Sequence, residues 1–260
     1  MQKFGICLLS VIPVRKDPSD FSEMTTQLLF GDLIQIIYSH KQWLNIRQEY
    51  DNYEGWIDAK QIHFLSEQSY RTLANVPFSV SLDLVTSLSD NMRSVPQLIV
   101  IGSSLPGMIK NTFYVGDIIF TYDGEFFHSE DNVDRNNIIE NAFAYKGCPY
   151  LWGGKTPFGI DCSAFAQIVY KASGVRLLRD SGEQATQGET LNMLQESKPG
   201  DLAFFDNEEG KITHVGILLS ENQIIHASGH VRIDSIDHQG IFNKETNKYS
   251  HKLRLIKTLL

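Results

Sequence analysis

Over the first 65 residues, apolar and polar side chains alternate in short runs separated by turn-forming residues. Gly5-Ile6-Cys7-Leu8-Leu9-Ser10-Val11-Ile12-Pro13-Val14 opens this region as a strand. Leu33-Ile34-Gln35-Ile36-Ile37 follows the turn Phe30-Gly31-Asp32, Trp43-Leu44-Asn45-Ile46-Arg47 alternates in side-chain type, and Asp51-Asn52-Tyr53-Glu54-Gly55-Trp56-Ile57 turns into a further strand. Strands this short, at this spacing, predict a small barrel. The stretch 70–128 repeats the style at 77–88, in Gln97-Leu98-Ile99-Val100-Ile101 and in Val115-Gly116-Asp117-Ile118-Ile119-Phe120. The last run echoes Phe30-Gly31-Asp32-Leu33-Ile34, so a second barrel is expected.

From about residue 131 the period lengthens. Over 134–146, Ile138, Ile139, Ala142, Phe143 and Tyr145 fall largely on one side of a helix that Gly147 would stop. Over 162–173, Phe165, Ile168, Val169 and Ala172 recur at three and four, with Gly174 beyond the end. Residues 181–194 are expected to be helical in part. Strands are expected over 202–206, 213–219, 223–227 and 231–234, with 252–259 closing the sheet. Helices first and antiparallel strands afterwards is an α+β arrangement. The domains expected are therefore 1–65, 66–130 and 131–260.

Composition narrows the classes. The chain has 260 residues, 42% hydrophobic and 21% charged, as in ordinary soluble globular proteins. Its apolar runs fall short of the ~18 residues a membrane span needs. The net charge of −8, without a Lys/Arg-rich block, argues against nucleic-acid binding. The apolar run after Lys3 imitates a signal peptide, but Arg15-Lys16-Asp17-Pro18 follows it instead of a small-residue cleavage site. A cytoplasmic chain is expected on that reading, with a periplasmic or secreted one as the alternative. Cys7, Cys148 and Cys162 are odd in number and lack metal-ligand spacing, so neither a disulfide framework nor a zinc site is suggested. No metal or organic cofactor is implied.

The chemistry gathers at Gly159-Ile160-Asp161-Cys162-Ser163-Ala164-Phe165. Asp161 can cap the helix, which puts Cys162 in the first turn. Free N–H groups and the helix dipole there favour a thiolate, the nucleophile of acyl transfer, and can stabilise an oxyanion. His214, in Ile212-Thr213-His214-Val215-Gly216-Ile217, and His226, in Gln223-Ile224-Ile225-His226-Ala227-Ser228, lie on strands joined around Ser220-Glu221-Asn222. A hairpin would bring both rings to one face, with His214 as general base and His226 orienting it. His40, His63, His128, His230, His238 and His251 lack such context and are expected to be surface or structural.

This residue set resembles the NlpC-type cysteine peptidases, which cut cell-wall peptides. The Cys162 run, Pro199-Gly200-Asp201-Leu202-Ala203-Phe204-Phe205, Thr213-His214-Val215-Gly216-Ile217 and Ile225-His226-Ala227 occur in that family's order and spacing over roughly 131–260. Ala164 departs from it, where Gly is common. Pro149-Tyr150-Leu151-Trp152-Gly153-Gly154 and Arg179-Asp180-Ser181-Gly182-Glu183-Gln184 are similar to the γ-D-glutamyl-L-diamino acid endopeptidase (dipeptidyl-peptidase VI) subgroup. Ser22-Glu23-Met24, Gln27-Leu28-Leu29-Phe30-Gly31 and Tyr53-Glu54-Gly55-Trp56 are similar to its first barrel.

The resemblance implies a papain-like catalytic domain, helices packed on an antiparallel sheet, behind two small all-β SH3-like barrels. It implies hydrolysis of the bond between γ-D-Glu and meso-diaminopimelate or L-Lys in small murein peptides with a free N-terminal L-Ala, within cell-wall peptide recycling. Tyr150, Asp180, Glu23 and Tyr53 would close around the free ammonium, with Asp161 and Ser163 beside the nucleophile. Another amidase or acyltransferase of the same fold is an alternative, as is a peptidoglycan-binding adaptor with an idle catalytic domain.

Overall fold

The computed structural model describes residues 3–260. The chain divides into two compact units, one of residues 1–132 with 152–157 and the other of 133–151 with 158–260.

In the first unit, β1 (Phe4–Ile6), β2 (Val11–Arg15), β3 (Met24–Leu29), β4 (Leu33–His40), β5 (Trp43–Gln48), β6 (Glu54–Asp58) and β7 (His63–Leu65) pair antiparallel. Their order is β3-β2-β6-β5-β4-β1-β7. The single strand expected over the first apolar run is two, parted by a bend at Leu9-Ser10. Gly31 takes φ +82, and a Cβ there would lie 1.9 Å from the Ser104 carbonyl oxygen, so only glycine admits this approach.

A helix missing from the sequence expectation follows. α1 (Glu67–Asn75) is nucleated by Ser66, whose Oγ accepts from Ser69 N–H at 3.1 Å. It buries only Tyr70, which stacks on Phe4 with centroids 4.4 Å apart. Then β8 (Phe78–Ser81), β9 (Val85–Asp90), β10 (Gln97–Val100), β11 (Ser104–Pro106), β12 (Thr112–Val115), β13 (Ile118–Thr121) and β14 (Phe126–His128) form two sheets. One runs β10-β9-β13-β12 and the other β11-β8-β14. One apolar cluster joins this region to the first sheet, through Ile6, Phe30, Leu65 and Tyr70 on one side and Leu88, Ile99, Phe113 and Phe120 on the other.

The second unit begins with α2 (Arg135–Ala144), capped by Asp134, whose carboxylate accepts from Asn136 N–H at 2.9 Å. β15 (Lys155–Thr156) falls in the first unit and packs on β3; β16 (Gly159–Ile160) falls in the second. α3 (Cys162–Lys171) follows, all ten of its residues buried. Of residues 181–194 only α4 (Ser181–Gln184) is α-helical; turns and β17 (Glu189–Leu191) follow, and a short 3-10 turn begins at Leu194.

The sheet then forms from β18 (Leu202–Asp206), β19 (Ile212–Ser220), β20 (Gln223–Ser228), β21 (His230–Asp237), β22 (Gly240–Asn243) and β23 (Lys248–Thr258). Its order is β17-β23-β18-β19-β20-β21-β22, and β22 also pairs with β23. The first part of β23 pairs with β22 and the later part with β18, so the sheet curls until β22 meets β23. This removes an open edge. Alternation puts Ala203, Phe205, Leu218, Ile224, Ile236 and Ile241 on the inner face, where they pack with Ile256. Val215 and Ile217 point the other way, the face on which α3 lies. No helix among the described residues is long and apolar enough to cross a membrane.

Candidate active site

The start of α3 is fixed by a buried ionic knot. Asp161 is extended (φ −88, ψ 173), and its Oδ1 accepts the Ala164 N–H at 2.7 Å. Arg179, only 1% exposed, places Nη2 2.6 Å from Oδ2 and donates through Nη1 to Oδ1 at 3.1 Å. The same Nη1 donates to Ser163 Oγ at 2.8 Å, and that hydroxyl donates to Asp161 Oδ1 at 3.2 Å. Gln184 Nε2 ties Ser163 O and Leu178 O together, each at 2.9 Å. Asp161 and Ser163 therefore hold the helix start in place.

Cys162 sits at the head of this assembly, 6% exposed, its sulfur receiving the backbone N–H groups of Val215 and Ser163. Burial pushes the thiol up to about 12, with Asp161 adding to the rise and the two N–H groups and Arg179 opposing it. A rise of this size from 9.0 costs about 4 kcal/mol. A helix N-terminus returns only ~0.3–2 kcal/mol, so burial outweighs the dipole. The sequence reading expected a lowered thiol; the resting site has a neutral one.

His214 faces Phe205 across β18 and β19, with ring centroids 5.7 Å apart. Its neighbour in the chain is Val215, whose N–H meets the sulfur. Two residues on, Gly216 lets β20 approach: a Cβ there would lie 2.7 Å from Ile224 Cδ1 and 2.9 Å from His226 Cβ. His214 Nε2 and His226 Nδ1 stand 2.8 Å apart, and His226 Nε2 stands 3.0 Å from Asp234 Oδ2. Arg232 holds the carboxylate, Nε 2.9 Å from Oδ2 and Nη2 donating to Oδ1 at 3.0 Å. Burial, then the neighbouring His251 and His226, keep His214 well below the usual imidazole range. Burial and then His226 take His251 down to about 4, against a weaker pull upward from Asp234. Burial alone would raise Asp234, but hydrogen bonds from His226 and Arg232 outweigh it and hold the carboxyl below its ordinary range.

Tyr150 joins this group. Its N–H donates to Gly229 O at 3.0 Å, and its phenol is raised to about 12 by burial, then by the neighbouring Cys162 and Asp161, against Arg179. Asp180 is exposed and starts α4, with Glu183 Oε2 accepting its N–H at 3.4 Å in a capping box. Glu23 and Tyr53 belong to the first unit. Glu23 Oε1 accepts from Trp152 Nε1 at 2.7 Å, and Tyr53 is half-buried, its N–H donating to Asp51 Oδ1 at 3.0 Å.

Sequence reasoning missed Arg179, Arg232, Asp234 and His251. His251 is neither surface nor merely structural in placement: its ring stacks on His214. A signal existed for Asp234. Arg232 pairs with His226 in register, and Asp234 lies two residues on, hence on the same face. His214, His226 and His251 each bring a ring nitrogen within 4.8 Å of the others, a grouping that suits a transition metal by residue type. Two of their nitrogens, however, are spent on each other, so the rings are wired as a hydrogen-bonded relay.

Comparison with known proteins finds a match in each unit of the chain. Residues 147–250 match the NlpC/P60 family, and residues 14–62 match the bacterial dipeptidyl-peptidase SH3 domain. The chain is similar to a γ-D-glutamyl-L-lysine dipeptidyl-peptidase of Bacillus subtilis, 28% identical over 87% of this chain and 75% of the relative. It is also similar to dipeptidyl-peptidase 6 of Lysinibacillus sphaericus, 25% identical over 86% of this chain and 88% of that one. The crystal structure of an NlpC/P60 family protein from Bacillus cereus shares the fold, with a TM-score of 0.82 at 19% identity over 98% of this chain and 99% of that one.

Proposed function

We propose that this chain, which belongs to the NlpC/P60 family of cysteine peptidases through residues 147–250 and carries a bacterial dipeptidyl-peptidase SH3 domain at 14–62, cleaves the γ-D-Glu–diamino acid bond of small murein peptides with a free N-terminal L-Ala. The observation that carries this reading is the Cys162 sulfur lying against the Val215 N–H, one residue from the buried His214–His226 pair. The names of two relatives, γ-D-glutamyl-L-lysine dipeptidyl-peptidases, supply the bond. Residues 1–65 and 66–130 are read as two SH3-like barrels and 131–260 as the papain-like catalytic domain. The setting we propose is cytoplasmic recycling of wall peptides.

In this mechanism the resting thiol is neutral. As Sγ attacks the γ-glutamyl carbonyl carbon, its proton passes to His214 Nδ1. The oxyanion forms at the N-terminal end of α3, whose dipole favours negative charge there. The C–N bond then breaks, the imidazolium protonates the departing amine of the diamino acid, and L-Ala-γ-D-Glu remains as a thioester. Water, deprotonated by His214, releases it.

Tyr150 and Asp180 are the residues of this unit that we assign to the substrate's free ammonium. For Glu23 and Tyr53 the same role rests on the resemblance alone. The free ammonium would give Asp180 a charge-assisted hydrogen bond that a blocked N-terminus cannot donate. Mass spectrometry of digests of L-Ala-γ-D-Glu-L-Lys and its N-acetyl form tests the proposal. Release of L-Ala-γ-D-Glu from the free peptide, with the acetylated one intact, is expected. Equal cutting of both, or cleavage of another bond, would overturn it.

A further inference from the structure

We propose that Asp234 is a positioning residue that sets which ring nitrogens of His226 and His214 carry hydrogen, and so leaves His214 able to accept the proton from Cys162. This rests on the reading of His214 as the general base.

The argument follows hydrogens along the relay. An ionised carboxylate only accepts, so His226 Nε2, 3.0 Å from Asp234 Oδ2, carries the hydrogen. In a neutral ring Nδ1 is then bare and must accept. Its partner at 2.8 Å is His214 Nε2, which therefore carries its own hydrogen. His214 is left with the lone pair on Nδ1, the nitrogen that His226 does not engage. Without the carboxylate an opposite arrangement satisfies the same two rings. His226 Nδ1–H would donate to His214 Nε2, and His214 would hold its hydrogen on Nδ1, where it could no longer take one from a thiol. The two arrangements differ only in direction, and the charge at the end of the chain selects between them.

Asp234 is built to stay charged. It is buried, and Arg232 stands against both of its oxygens while extending Nη1 to Glu245 Oε2 at 3.1 Å. The ionisable groups facing the relay are Asp234 and Arg232 on β21, His226 on β20, His214 on β19, His251 on β23 and, through Arg232, Glu245. Hydrogen bonds from His226 and Arg232 keep Asp234 ionised across the working range.

The test combines ring-nitrogen NMR of histidine-labelled protein with kinetics. In the wild type, both His214 and His226 should show hydrogen on Nε2 and bare Nδ1. Asp234→Asn should populate the reversed tautomers and lower kcat with KM little changed. A loss of roughly 30-fold or more is expected, below the ~10⁴ lost when a carboxylate touching the base itself is neutralised in serine peptidases, because one further ring intervenes here. Asp234→Glu should recover part of kcat. A purely structural role would leave the ring signals unchanged and scale kcat with the folded fraction. Should Asp234→Asn fail to fold, Arg232→Met keeps the carboxylate but loosens its hold, and the acid limb of kcat/KM should move to higher pH. Wild-type His226 protonated on Nδ1, or an acid limb unmoved in Arg232→Met, would overturn the inference. The tautomers are read without turnover. Lack of activity on murein peptides with the expected ring signals would therefore sink the substrate assignment and leave this inference standing.

Discussion

The imidazole of His251 lies flat on that of His214, with centroids 4.0 Å apart and planes 23° from parallel. Charge on one ring would face the other across that gap, inside a buried cluster that also contains His226. Burial is the first cause that holds both rings neutral, and each folded value lies below the ordinary 6.5.

Stability should follow from this. A depressed folded value means that the unfolded chain binds more protons below 6.5, so stability present above that pH is lost as pH falls toward 4. For His251 the loss is on the order of 2 kcal/mol. Calorimetry between pH 7.5 and 4.5 should show the melting of the second unit falling by several degrees. His251→Phe, which keeps a flat ring, should reduce that slope. An unchanged slope would contradict the stacked neutral pair.

The neutral resting thiol predicts a labelling profile. Iodoacetamide should react slowly with Cys162 near pH 7, at a rate rising about tenfold per pH unit to pH 10, as the thiolate fraction does. Cys7, raised by burial and Asp32, should lag behind it, being fully enclosed. A plateau in the Cys162 rate near neutrality would reveal an ion pair already formed at rest.

Arg179→Met should lower stability by about 3–5 kcal/mol, because Asp161 would stay buried without its cation. Adding Asp161→Asn should restore part of the loss. Denaturant unfolding of the two single variants and the double variant measures the coupling, and simple additivity would show that the ionic knot is not a unit.

Gly216→Ala tests the seating of His226. The added methyl meets Ile224 Cδ1 at 2.7 Å and His226 Cβ at 2.9 Å. It must push β20 or the imidazole aside. A loss of kcat of at least tenfold, exceeding any loss of folded protein, is expected. Retained kcat would mean that the ring tolerates displacement.

Local periodicity makes much of this molecule legible. Apolar residues at three and four mark α3, and alternation marks β19 and β20, which places Cys162 at a helix start and both histidines on neighbouring strands. What the sequence hides is pairing at a distance. That Asp234 reaches His226, and that His251 covers His214, depends on the registers of β20 with β21 and on the curl of β23, which composition does not encode. Arg179 is an ordinary basic residue until the fold seals it against Asp161. α1 escaped notice for the opposite reason: it is mostly polar and carries only Tyr70 inward. The turns at Gly31 and Gly116, the two copies of the echo in the sequence, both take positive φ.

The nucleophile stands at the tip of an element with no face toward solvent, since every residue of α3 is enclosed. Such an element has no cheap way to fray or drift while its surroundings persist. Heating should therefore leave no half-competent species: catalytic power should vanish in step with collapse of the entire second unit. By the same reasoning, lineages can retune what this peptidase accepts only by redecorating the exposed segments around that helix.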